Sequence, residues 1–263
     1  MTDVPFADTC SIVTGASAGI GRALAVELSK ARAKLALVGR RAAELAETRR
    51  LCLTAGAARV ETWAFDLGNL AAIDGLVAEI EQRLGEPPGL AIHAAGVLLL
   101  ARVEDYPLED AVELMNVNLL AGFALARALV PRMREKGGTI GFISSGSAYR
   151  AVPFQWAYAA SKAGIERLAE ALRVELAGSA VRVRVVSPGP VGTGMSKSPR
   201  SIGRASLLGL PKSLPTAEDV APALLAGFAS RHPRTERTMH VRLIRWLSAL
   251  GAEPFDTILR RRL

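Results

Sequence analysis

Cys10-Ser-Ile-Val-Thr-Gly-Ala-Ser-Ala-Gly-Ile-Gly-Arg-Ala-Leu-Ala-Val-Glu-Leu28 is the stretch on which the fold turns. A short apolar run, Cys10 to Val13, leads into Thr14-Gly-Ala-Ser-Ala-Gly-Ile-Gly21, and a helical pattern follows from Arg22. Strand, glycine turn and helix in that order form the context in which a chain holds a dinucleotide. Gly15 permits a tight turn, Gly19 lets the backbone approach a pyrophosphate, and Gly21 lets the helix pack close to the strand. The phosphate then rests on a helix N-terminus, where free N–H groups and the macrodipole favour an anion. The spacing is Gly-x-x-x-Gly-x-Gly, one residue wider between the first two glycines than the common dinucleotide form.

Outward from this stretch, strands and helices alternate. Apolar runs at 11–14, 34–38, 60–65, 90–93, 139–144 and 181–186 predict buried parallel strands. Amphipathic segments at 22–30, 42–53, 70–84, 109–134 and 156–177 predict the helices between them. That alternation implies an α/β fold, a doubly wound, mostly parallel sheet with right-handed crossovers. Its ligand crevice lies at the carboxyl ends of the strands. Gly15, Arg40, Asp66, Gly96, Ser145 and Gly189 all fall just past predicted strand ends, on one edge of the sheet. No internal repeat or linker interrupts the 263 residues, so a single domain over 1–263 is expected.

A second constellation lies in Trp156-Ala-Tyr-Ala-Ala-Ser-Lys-Ala-Gly164. Tyr158 and Lys162 stand four apart, and positions i and i+4 share a helix face. An ammonium beside a phenol lowers its pKa from about 10 and makes it a usable proton donor. Ser145 lies thirteen residues upstream of the tyrosine. Tyrosine, lysine and serine so arranged point to a reductase or dehydrogenase.

Taken together, the two motifs resemble those of the short-chain dehydrogenase/reductases in their single-domain form, over about residues 8 to 195. Thr14 to Gly21 is similar to that family's cofactor loop, which brings in Ser17 and Ile20 beside Gly15, Gly19 and Gly21. The resemblance implies that Asp66, with Leu67, binds adenine. It places Ala94, Ala95 and Gly96 of His93-Ala-Ala-Gly96 where the family has an Asn-Asn-Ala-Gly type turn. It sets Pro188, Gly189, Val191 and Thr193 of Pro188-Gly-Pro-Val-Gly-Thr193 near the nicotinamide. Asn118 in Asn116-Val-Asn-Leu119 matches the asparagine of the family's proton relay, and Ser145, Tyr158 and Lys162 complete the catalytic set. The family's offset selects Ser145 over Ser144. On this resemblance a hydride reaches a carbonyl carbon while Tyr158 protonates the oxygen, Ser145 holds that oxygen, and Lys162 binds the nicotinamide ribose and lowers the tyrosine's pKa. Asn118 connects Lys162 to solvent through a water.

The choice of cofactor has its own physical argument. An NAD site wants a carboxylate after the second strand for the ribose hydroxyls. This chain has Gly39-Arg40-Arg41 there and no acid before Glu44. A guanidinium grips a 2′-phosphate bidentately, whereas a carboxylate repels it. Arg40 is the first choice for the phosphate, Ser17 and Arg41 are helpers, and NADP(H) is favoured over NAD(H). Arg41 reads equally well as the solvated start of a helix.

The rest of the chain excludes or leaves open. Net charge is +8, but the arginines are spread through helices without the aromatic interleaving of a nucleic-acid groove, so no nucleic-acid partner is expected. Cys10 and Cys52 read as apolar fillers in a reducing compartment. Residues 1–6 carry no signal pattern, and the apolar stretch 90–101 is too short to span a bilayer, so a cytoplasmic location is expected. His93, His232 and His240 have no partners at metal-ligand spacing, and His93 reads as a structural hydrogen-bonder beneath its turn. Residues 192–215 are expected to form a mobile substrate lid. Val97 to Leu100, Val152, Phe154, Trp156 and Met195 form an apolar wall suited to a hydrophobic carbonyl or alcohol substrate.

Many members of the family end in a strand and an Asp-Gly-Gly segment at an oligomer interface, and this chain is expected to have neither. It ends instead in an amphipathic basic tail, 238–263. Val241, Ile244, Leu247 and Leu250 lie on one side of it, suited to docking on the domain or a second copy, or to a peripheral membrane contact. A homo-oligomer, dimer or tetramer, is expected. A non-catalytic NADP-binding module and a same-fold dehydratase or epimerase stay open as other functions.

Overall fold

The computed structural model of the chain describes residues 6–193, 195, 213–236 and 238–248. Seven strands are present: β1 (Cys10–Thr14), β2 (Lys34–Gly39), β3 (Arg59–Ala64), β4 (Leu90–His93), β5 (Gly138–Ile143), β6 (Val181–Ser187) and β7 (Arg234–Glu236). They form one sheet in the order β3-β2-β1-β4-β5-β6-β7, and every pairing is parallel. The order reverses direction between β1 and β4, and that reversal opens the crevice expected of a doubly wound sheet. β1 and β4 are buried along their whole length, because helices cover both faces of the sheet.

The helices are α1 (Gly19–Ser29), α2 (Ala42–Thr54), α3 (Ile73–Leu84), α4 (Leu108–Met115), α5 (Ala121–Met133), α6 (Trp156–Glu175), α7 (Ala217–Ala229) and α8 (Met239–Ser248). Leu24 and Leu28 of α1 and Leu224 and Phe228 of α7 share one core layer with Val13, Leu35 and Leu37. Ile73 and Ile80 of α3 and Leu125 and Leu129 of α5 fill the opposite layer with Ile12, Phe142 and Val183. Burying such side chains is worth about 1.5–3 kcal/mol each, and this two-sided burial holds the strand ends at fixed spacing.

Three expectations need correcting. The single helix expected over 109–134 is α4 and α5 joined by a π-helical turn, Asn116–Leu120, and Asn118 sits inside that turn. One extra residue per turn swings side chains off the regular helical stripe, which hydrophobic periodicity cannot register. The chain does carry a strand near its end: β7 pairs with β6 through only three residues, too few for an alternation to be legible. α7 also went unread, although Thr216 and Asp219 close a capping box at its start.

The run Leu108–Met133 is long and apolar enough to cross a bilayer by length and composition. Just over half of its apolar window is buried inside the fold, and Ala121, Leu125, Leu129 and Met133 pack on the sheet. It reads as a core helix.

Candidate active site

The glycine turn between β1 and α1 holds its shape through backbone contact. Gly15 has φ +66°, and a Cβ there would lie 2.7 Å from Cα of Ala95 in the turn after β4. A Cβ on Gly21 would strike the carbonyl oxygen of Gly15, so α1 packs as close as glycine allows. Two residues that the motif does not flag support the loop from beneath. Arg22 donates through Nη2 to the Ser17 carbonyl at 2.6 Å and through Nε to Thr48 Oγ1 at 2.9 Å, while Thr48 Oγ1 donates to the Ala16 carbonyl. Their signal was a basic residue in the first turn of α1 and a buried threonine on the neighbouring helix.

The N-terminus of α1 has no side-chain cap and no acidic residue in its first turn. Its leading N–H groups therefore face the crevice without a resident anion, and the donor set fits a pyrophosphate. Ile20 and Val191 pack on the adjacent core layer, and Thr193 reaches over to Gly19, where a Cβ would lie 3.3 Å from it. The segment 188–193, with Pro188 and Gly189 just past β6, thus comes against the glycine loop through Thr193.

After β3, Asp66 is exposed and its Oδ1 accepts from the Gly68 N–H at 2.9 Å, while Leu67 is buried. Arg40 follows β2 at the crevice. Its Nη1 lies 2.7 Å from Oε1 of Glu113 on α4. The acid missing before Glu44 in the local sequence thus arrives from 73 residues away. Arg41 pairs with Glu44 at 3.3 Å and donates to Ser17 Oγ at 3.4 Å, which joins the expected helper residues to one another.

Tyr158 and Lys162 lie on α6, and Ser145 caps the short 3₁₀ turn Gly146–Ala148 after β5. The Ser145 hydroxyl acts on the Tyr158 phenol, favouring its ionised form, and accepts from the Ser147 N–H at 3.2 Å. Ser144 is buried, with its hydroxyl unpartnered. Lys162 is buried and donates to the Ile143 carbonyl at 2.9 Å, its ammonium 5.7 Å from the centre of the tyrosine ring. Burial pulls its amine down from 10.5 to about 8, which still leaves it mostly charged at pH 7.

The phenol of Tyr158 departs from expectation. Burial raises its pKa above the ordinary value, and the Ser145 hydrogen bond opposes that rise. The lowering expected from Lys162 is not met in this arrangement, because the ammonium is turned to a backbone carbonyl.

Asn118 is fully buried. Its Oδ1 accepts from the Val97 N–H at 2.7 Å, and its Nδ2 donates to the Val97 carbonyl and to Ser161 Oγ. Ser161 in turn donates to the Tyr158 carbonyl at 2.7 Å. Ser161, the serine beside the lysine, therefore ties the π-helical turn to α6. Gly96 is closely flanked: a Cβ there would lie 3.4 Å from Asn118 Oδ1 and 3.8 Å from Lys162 Nζ.

His93 hydrogen-bonds Thr14 Oγ1 through Nδ1 at 3.1 Å. That oxygen also accepts from the Ala95 N–H. Nε2 faces the backbone carbonyls of Val117 and Asn118 without closing a hydrogen bond. Burial pushes the ring down to about 4, which keeps it neutral at pH 7. Among the described residues no three His, Cys, Asp or Glu side chains gather as a metal site.

The expected apolar wall is only partly one. Leu99 and Leu100 are buried, and Leu99 belongs to a small core with Tyr106, Ala111, Leu114 and Ala157. Val97 and Tyr158 pack against that core. Val152 and Phe154 are half-buried, and Trp156 stands 41% exposed with its ring edge-on to Tyr106 at 4.9 Å. Met195 is exposed. The lid expected over 192–215 lies outside the described residues for the most part, as does the tail beyond 248. In α8, Val241 is buried and, with Ile244, lies next to Gly146 of the serine turn, while Arg245 pairs with Glu236 at 3.0 Å. That much of the tail docks on its own domain.

Comparison with known proteins settles the family. Residues 9–202 match the model described as short chain dehydrogenase. The chain belongs to the short-chain dehydrogenases. It is 35% identical over 209 residues to ketoacyl reductase HetN of Nostoc sp., covering 78% of this chain and 72% of that one. It is 34% identical over 191 residues to dehydrogenase/reductase SDR family member 7B of Rattus norvegicus, covering 70% of this chain and only 58% of the relative. A solved structure of a putative short-chain alcohol dehydrogenase from Sinorhizobium meliloti superposes with TM-score 0.79 at 25% identity, over 89% of this chain and 96% of that one. An alcohol dehydrogenase from the archaeon Thermococcus sibiricus, complexed with 5-hydroxy-NADP, has the same fold, with TM-score 0.75 at 23% identity over 87% and 94% of the two chains. Members of this family are oxidoreductases that bind a nicotinamide cofactor and act on small molecules.

Proposed function

We propose that this short-chain dehydrogenase is an NADP(H)-dependent carbonyl reductase or alcohol dehydrogenase with Tyr158 as its acid/base. The observation that carries the reading is the gathering of Tyr158 and Lys162 on α6, the ammonium 5.7 Å from the phenol ring, with Ser145 after β5 acting on the same phenol. The bound nicotinamide supplies or accepts the hydride. In reduction, the Tyr158 phenol gives its proton to the substrate oxygen, and Ser145 hydrogen-bonds the same oxygen against its developing charge. Burial keeps the phenol protonated at neutral pH, so the donor form is fully populated in the reductive direction. Lys162, largely cationic at pH 7, is the residue for the nicotinamide ribose. Asn118 holds the turn after β4 through both polar groups of Val97.

The uncapped N-terminus of α1 is the site for the pyrophosphate, and Asp66 and Leu67 are the adenine contacts. Arg40, with Arg41 and Ser17 behind it, is the 2′-phosphate site that favours NADP(H). A hydrophobic substrate is favoured by the apolar, partly exposed Val97, Val152, Phe154 and Trp156. The name of the Nostoc relative, a ketoacyl reductase, is consistent with carbonyl reduction. A homo-oligomer is part of the same proposal, and light scattering decides it. The function is tested by NADPH oxidation at 340 nm against ketones, aldehydes and acyl thioesters, with NADH in parallel. Turnover with NADPH that Tyr158→Phe abolishes supports the reading. Tight NADPH binding without turnover on any of the three classes favours the non-catalytic alternative.

A further inference from the structure

We infer that Glu113 sets the strength of the cofactor's 2′-phosphate preference by acting as the resident counter-ion of Arg40. This rests on the NADP(H) reading above and adds a specificity-determining residue that the glycine-loop and β2 motifs do not contain.

Glu113 Oε1 and Arg40 Nη1 are 2.7 Å apart, with both side chains about half exposed. α4 contributes no basic residue of its own, since Leu108–Met115 reads Leu-Glu-Asp-Ala-Val-Glu-Leu-Met. The first turn of α4 already has Glu109 and Asp110 to complement its dipole. The helix then runs on through the π-helical turn, so a carboxylate at position 113 lies within a continuous run and gains nothing from a helix end. Its ion pair with Arg40 is the contact that accounts for its position. The neighbouring Arg41 is matched with Glu44, so the turn where a phosphate dianion must bind holds two guanidinium groups and two carboxylates.

A 2′-phosphate arriving at Arg40 therefore meets an occupied guanidinium and a like charge beside it. Binding becomes an exchange of anions: the carboxylate swings out to solvent and the phosphate takes its place. Half-exposed side chains make that exchange cheap but not free. A cofactor without the phosphate leaves the pair intact. Glu113 thus reduces affinity for the phosphorylated cofactor and leaves the unphosphorylated one untouched.

The test is a binding titration, read by protein fluorescence or calorimetry, of NADPH, NADH, 2′,5′-ADP and 5′-AMP against the wild type, Glu113→Gln, Arg40→Ala and the double variant. An exposed pair of this kind predicts that Glu113→Gln binds NADPH and 2′,5′-ADP about two- to fivefold tighter. NADH and 5′-AMP should be unchanged, and the gain should shrink at high salt. In the Arg40→Ala background the Glu113 substitution should lose most of its effect, as a double-mutant cycle requires of a direct pair. Unchanged or weaker NADPH binding by Glu113→Gln overturns the proposal, weaker binding meaning that the carboxylate holds Arg40 in its working position. A wild type that binds NADPH no better than NADH sinks the cofactor reading and this proposal with it. A wild-type preference that Glu113→Gln leaves unaltered sinks this proposal alone.

Discussion

Replacing Lys162 with methionine should make the protein more stable and abolish its activity, and the size of the gain follows from the site. The lysine is 5% exposed, its amine bonds to the Ile143 carbonyl, and burial alone pulls it from 10.5 to about 8. At about 1.4 kcal/mol per pH unit, that fall corresponds to about 3 kcal/mol lost by carrying the charge inside the fold at pH 7. Methionine fills a similar volume without the charge but leaves the Ile143 carbonyl unpaired, which costs about 1 kcal/mol. The net gain at pH 7 is about 2 kcal/mol, or roughly 4–8 °C in Tm for a chain of this size.

The pH dependence has a definite sign. Above 10.5 the amine is neutral both folded and unfolded, and no penalty exists. As pH falls from 10.5 towards 8 the unfolded chain takes up a proton that the folded chain does not, so the wild type loses stability over that window and levels off below it. Thermal or denaturant unfolding of both proteins at pH 7 and pH 9.5 therefore reads a gap that narrows by about 2 kcal/mol at the higher pH. A methionine variant less stable than the wild type at pH 7, or a gap independent of pH, refutes the reasoning. Either result means that the ammonium has a compensating partner.

Two further outcomes follow from the same geometry. Ser145→Ala removes the hydrogen bond that holds the phenol of Tyr158 down, so the alkaline limb of carbonyl reduction should move to higher pH while kcat falls about 10²-fold, measured as a pH–rate profile. Gly15→Ala asks a side chain to adopt φ +66° within 2.7 Å of Ala95, which should cost about 1–3 kcal/mol in unfolding experiments and weaken cofactor binding in fluorescence titration.

The parts of the fold legible in the sequence were those written in long local patterns. β4 stands at the residues its apolar run marked, and α6 begins at Trp156 as its periodicity implied. Gly15, Ser145, Tyr158 and Lys162 could be grouped because motif spacing and strand ends put them on one edge. What escaped was either short or long-range. β7 has three residues, two of them charged, and α7 announces itself only through the Thr216–Asp219 capping box. The π-helical turn around Asn118 has the composition of the helices beside it. The Arg40–Glu113 pair and the Asn118–Ser161 hydrogen bond join residues 73 and 43 apart, and no local reading can place them. The direction of the Tyr158 shift was missed for a related reason. Helical spacing puts Lys162 on the right face, but the Ile143 carbonyl, supplied by another element, decides where its ammonium points.

The most direct test of the central claim follows the hydride and the proton together. NADPH deuterated at the 4-position of the nicotinamide, in each stereochemical form separately, is incubated with the enzyme and a hydrophobic ketone, and the alcohol is analysed by mass spectrometry. The account predicts that one of the two forms delivers its deuterium to the carbinol carbon, and that Tyr158→Phe binds NADPH normally but yields no labelled alcohol. Labelled alcohol formed equally well by Tyr158→Phe would contradict it, because the proton would then come from a group other than the one this site is built around.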